Sequence, residues 1–69
     1  MQATYIISDD AGDTVCSAPS VSQALANLAD TYGLEAHIEP VESLHDLQWE
    51  RAIPVIAPLG FSLRRVVAE

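Results

Sequence analysis

The residues best suited to chemistry are carboxylates: Asp9, Asp10 and Asp13 fall within "SDDAGD" at residues 8–13, directly after the apolar run "ATYII". Three aspartates around a glycine fit a turn, a metal loop or a charged surface. A calcium loop needs regularly spaced oxygen ligands and a closing bidentate glutamate, and that distal glutamate is missing here. His37, His45 and Cys16 are the other metal-ligand types, but neither histidine stands at the short spacing from another ligand that marks zinc sites. Cys16 is the only cysteine and has no base beside it, so a packed thiol is expected instead of a nucleophile. The chain also lacks a glycine-rich phosphate loop, a serine elbow and a lysine for Schiff-base chemistry. A non-enzymatic protein is expected, with no catalytic residue, no cofactor and no metal.

Charge carries more information than any motif. Ten carboxylates face only Arg51, Arg64 and Arg65, for a formal net charge of −7 on 69 residues. Such a surface repels nucleic acid and anionic membranes and is attracted to basic surfaces of other proteins. Acidity also keeps a small apolar domain soluble, which is the commoner reason for such a balance, and both readings stay open. A lone cysteine fits a reducing cytosol, and neither a signal-peptide pattern nor an apolar run of membrane-spanning length is present in the sequence. One small domain over 1–69 is expected, with a thin core, because a chain this short buries only about 60% of its unfolded surface.

The elements that must position these residues begin with a hairpin. In "QATYIIS" the β-branched and aromatic residues alternate as on a strand, "DDAGD" supplies turn formers, and "TVCSA" returns. Ser20 with Gln23 makes a capping box, Val21, Leu25, Leu28, Ala29 and Tyr32 fall on one stripe, and Gly33 is a C-terminal stop, which together predict a helix over about 21–32. In "LEAHIEPV" Ala36 and Ile38 alternate with Glu35, His37 and Glu39, predicting a third strand that Pro40 places at an edge or bulge. "ESLHDLQW" is ambiguous: Ser43 with Asp46 resembles a helix cap, whereas Leu47, Trp49, Ile53 and Val55 favour a short turn followed by a strand. Pro58 and Gly60 in "APLG" suit a second hairpin, with Pro54 at an edge or bulge. The expected fold class is α+β: an antiparallel β-sheet in β-β-α-β-β-β order with one helix packed on one face.

On such a sheet Glu35, His37 and Glu39 form a row with neighbours about 7 Å apart, and Asp9, Asp10 and Asp13 occupy a loop tip elsewhere. Carboxylates so spaced can imitate a phosphate backbone at a site lined with arginine and lysine. In the first third of the chain, "ATYII", a short hairpin and "APSVSQALANLA" at 18–29 resemble the opening of small phage-encoded anti-CRISPR proteins directed at type I systems. That resemblance implies a non-enzymatic inhibitor of the multisubunit surveillance complex Cascade, acting in the cytoplasm of an infected or lysogenic bacterial host. The absence of lysine departs from family members that use basic contacts. It favours the other route, in which a negative inhibitor competes with target DNA for the positive channel or the PAM-reading site.

The candidate partner-binding residues are then Asp9, Asp10, Asp13, Glu35, Glu39, Glu42, Asp46 and Glu50. Their expected partner is the basic DNA-binding surface of a complex subunit, with no direct nucleic-acid binding, no membrane association and a monomeric protein. The alternative is a small structural or adaptor domain that binds protein through apolar surface around Trp49 and Phe61, tryptophan being enriched at interface hot spots.

Overall fold

In a computed structural model the described residues are 2–68. β1 (Gln2–Ser8) and β2 (Thr14–Ala18) form the expected hairpin, with Ile7 opposite Cys16 and a register shift between Ile7 and Ser8 at the turn end. α1 (Val21–Tyr32) follows with the bounds that the sequence predicts. Ser20 is its N-cap, its side chain accepting from the Gln23 N–H at 3.2 Å, and Gly33 ends it at φ +67°. That left-handed conformation costs a glycine little, and it lets the Gly33 N–H reach the Ala29 carbonyl. Val21, Leu25, Leu28 and Ala29 of the predicted stripe are buried, together with Ala24, while Tyr32 is 48% exposed.

The second half of the chain departs from the predicted order. The expected third strand is instead helical: α2 (Glu35–Ile38) runs into a 3₁₀ turn at Glu39–Val41. Leu34, Ile38 and Val41 stand four and three residues apart, a helical stripe turned toward the core, so the alternation seen around Ala36 and Ile38 is secondary. The expected strand through Trp49 and Val55 is a 3₁₀ segment at Asp46–Ala52 continuing into α3 (Ile53–Ile56). Here Ala52 and Ile56, four apart, are the buried residues. The hairpin expected at "APLG" is a 3₁₀ turn at Ala57–Leu59, closed by Gly60 at φ +92°, and only one strand follows it, β3 (Ser62–Ala68). Pro40, Pro54 and Pro58 all sit in the first turn of helical segments, where a missing N–H costs nothing.

The architecture is α+β, a three-stranded antiparallel sheet of order β2-β1-β3 with helices. β1 is central and pairs with β3 from Gln2 opposite Ala68 to Ser8 opposite Ser62. Tyr5, Ile7, Cys16, Ala18 and Leu63 share the buried face of the sheet, against α1, Ile38, Val41, Ala52 and Ile56 in one hydrophobic cluster. On the opposite face Thr4, Ser17, Arg64 and Val66 are exposed and Ile6 is half-buried.

Candidate functional site

The eight candidate carboxylates occupy three places. At the β1–β2 loop the Asp9 carboxylate accepts from the backbone N–H of Ala11 and of Asp13, both at 3.0 Å. The Asp9 N–H donates to the Asp13 carbonyl and Gly12, at φ +86°, donates to the Asp9 carbonyl. "SDDAGD" is therefore a turn stapled by its own first aspartate. Asp10 lies against Gly60, where an added Cβ would come within 3.1 Å of the Asp10 Oδ2. The loop thus seats on the turn that launches β3, and Asp13 is exposed.

The second place is the helical path from 35 to 42. The Glu39 N–H donates to the Glu35 carbonyl and the Glu42 N–H to the Glu39 carbonyl, so the chain makes two successive turns. Glu35, Glu39 and Glu42 fall four and three residues apart, one position on from Leu34, Ile38 and Val41. While the apolar stripe faces the core, the three glutamates form an exposed ridge beside it, with successive Cβ atoms about 5–6 Å apart. The strand row expected from Glu35, His37 and Glu39 is not formed, because the segment is helical: Glu42 instead follows Glu35 and Glu39, and His37, two residues from Glu35, turns away from them.

The third place is the 3₁₀ segment. The Asp46 Oδ1 accepts from the Val21 N–H at 2.9 Å, bridging 25 residues. α1 has no acidic residue in its own first turn, so Asp46 supplies the negative charge that a helix N-terminus favours. Local signals could not reveal this long-range cap. The Asp46 carbonyl also faces the Tyr5 hydroxyl at 3.5 Å, and the His45 Nδ1 accepts from the Leu47 N–H at 3.1 Å, which assigns its cap to His45. Glu50 is exposed.

The aromatic residues are engaged internally. Trp49 is half-buried, its ring centroid 6.3 Å from that of Tyr5, and the Arg65 guanidinium lies 6.0 Å from the Trp49 centroid. Phe61, also half-buried, packs on Tyr32 at 5.2 Å. Among the described residues Leu47 is the most exposed large apolar one, at 82%. Cys16 is buried, and desolvation raises its thiol pKa above the ordinary value, opposite to the change that activates a nucleophilic cysteine.

An open hollow of about 490 Å³ is bounded by Gln2, Ala3, Thr4, Pro19 and Asp46, with Asp46 the one titratable residue among the described residues of its lining. Among the described residues no three His, Cys, Asp or Glu side chains gather as a metal site. Nor is any helix among them long and apolar enough to cross a membrane. No family model, no curated protein and no solved structure matches the chain.

Proposed function

We propose that the protein is a non-enzymatic binding module whose acidic helical ridge docks on a basic, nucleic-acid-binding surface of another protein and competes with the nucleic acid. The observation that carries this reading is the exposed run Glu35, Glu39 and Glu42 on one side of a core-anchored helical path. Three charges spread over about 11 Å give one charge per 5–6 Å, sparser than the one per about 3.4 Å of a DNA strand but similarly linear. Because Leu34, Ile38 and Val41 fix the helix to the core, the glutamates are presented with little backbone entropy left to lose on binding.

The candidate contacts divide by their internal roles. Glu35, Glu39, Glu42, Glu50 and Asp13 are exposed toward a partner, Asp10 is exposed but lies beside Gly60, and Asp9 and Asp46 act first on the fold. The resemblance of residues 3–29 to type I anti-CRISPR proteins supplies the partner to try first, the DNA-binding surface of Cascade. With Trp49 and Phe61 each packed on a tyrosine, less aromatic surface is left for the adaptor alternative. The test is target-DNA loading by a purified type I surveillance complex at saturating protein: blocked loading is expected, and unimpaired loading overturns the reading.

A further inference from the structure

All three strands are free of carboxylates, and two of the three arginines in the chain lie side by side on β3, so the sheet is a basic island in a protein of net charge −7. β3 is also an edge strand. Among the described residues no backbone hydrogen bond joins it to anything but β1. Its seven-pair register with β1 is unbroken, with no bulge and no proline. The other edge, β2, is shorter, bulged against Ile7 and Ser8, and ended by Pro19. Edges without bulges or prolines accept an added strand, and here charged side chains are the one protective device present.

We propose that the outer edge of β3 receives an extended segment of a partner protein as a fourth, antiparallel strand, and that this segment carries two adjacent acidic residues preceded by two apolar ones. The charges choose this occupant. Arg64 and Arg65 point to opposite faces of the sheet, so both are met only by two consecutive acidic residues, one on each face. Val66 and Val67, 47% and 39% exposed, ask for β-branched or other apolar neighbours at the next two positions. Read in its own direction, an antiparallel occupant therefore runs Val-Val-Glu-Glu or a close equivalent. A second copy of this chain fits poorly, because β3 against β3 brings four arginines to one seam with no carboxylate on any strand to offset them. Arg65 is already held over Trp49, so its guanidinium is placed before the partner arrives. This edge recognises strands by main-chain hydrogen bonds and by sign of charge, independently of the glutamate ridge.

The probe is a short synthetic peptide with the central run Val-Val-Glu-Glu, titrated into the isotope-labelled full chain and followed by amide NMR and hydrogen exchange. Saturable shifts and slowed exchange confined to residues 62–68 and their β1 neighbours are expected. The R64E/R65E variant, checked for a dispersed spectrum, should bind this peptide at least about fivefold more weakly and should prefer its Val-Val-Lys-Lys counterpart. Arg64→Gln, which leaves the Trp49 contact in place, should show part of the same loss. Absence of saturable shifts on β3, indifference to charge reversal, or concentration-dependent protection of β3 without peptide, as a second copy would give, each overturns the proposal.

Discussion

Replacing Asp46 by alanine removes a single carboxylate that joins two parts of the chain far apart in sequence. Its Oδ1 accepts from the Val21 N–H at 2.9 Å, at the N-terminus of a helix with no acidic residue in its own first turn. A hydrogen bond to a charged group contributes about 1.5–3 kcal/mol and a favourable helix-dipole contact about 0.3–1 kcal/mol, with half-burial placing the first near the low end of its range. Asp46→Ala is therefore expected to lose about 2 kcal/mol. A domain of this length has only about 3–10 kcal/mol in total. The loss corresponds to a fall in Tm of about 8–16 °C, taking about 4–8 °C per kcal/mol for so small a domain. Asp46→Asn keeps an oxygen acceptor and gives up the charge, so it should lose less than half as much. Urea titrations followed by far-UV circular dichroism give both values from the midpoint at constant slope. A change below about 0.5 kcal/mol for Asp46→Ala, or an Asn variant as damaged as the Ala variant, refutes the capping role.

Other outcomes follow from the same structure. Leu28, fully buried in the stripe of α1, should lose about 2–5 kcal/mol on replacement by alanine, a large share of the total, read as a lower urea midpoint in circular dichroism at 25 °C. Gly33→Ala meets no neighbouring atom but must hold φ +67°, so a loss of about 1–2 kcal/mol is expected from chemical denaturation, with the spectrum of the fold unchanged. The Cys16 thiol should resist a disulfide reagent until the chain unfolds. Because burial raises its folded-state pKa, the folded state keeps the proton longer, so stability should fall as pH climbs past the ordinary thiol value. In Cys16→Ala that portion of the alkaline fall should vanish.

The first half of the fold was legible because its signals are local. The Ser20 cap, the Gly33 stop and the turn chemistry of Asp9 and Gly12 act within four residues, and each was found where the sequence placed it. Between Leu34 and Gly60 the chain is built from helical pieces of three to seven residues, and over such lengths alternation and helical spacing select overlapping residues. Ile38 fits both Ala36–Ile38 alternation and the Leu34–Ile38–Val41 stripe, and only packing against α1 and the sheet decides between them. Pro54 and Pro58 suit an edge strand or turn as well as a helix start, and the latter prevailed. Of the candidate residues, the spacing of Glu35 and Glu39 already hinted at a shared face. That Asp46 caps α1 was not legible, since its partner lies 25 residues away.

The most direct measurement of the proposed competition is the ionic-strength dependence of binding to a purified type I surveillance complex, for the native chain and for Glu35→Gln, Glu39→Gln and Glu42→Gln combined. All three residues are exposed, so the folded state should persist in the triple variant. The native chain should bind more weakly as salt rises and displace target DNA, and the triple variant should bind more weakly at low salt with a flatter salt slope. Equal affinity and equal salt dependence for the two proteins would contradict the role assigned to the ridge.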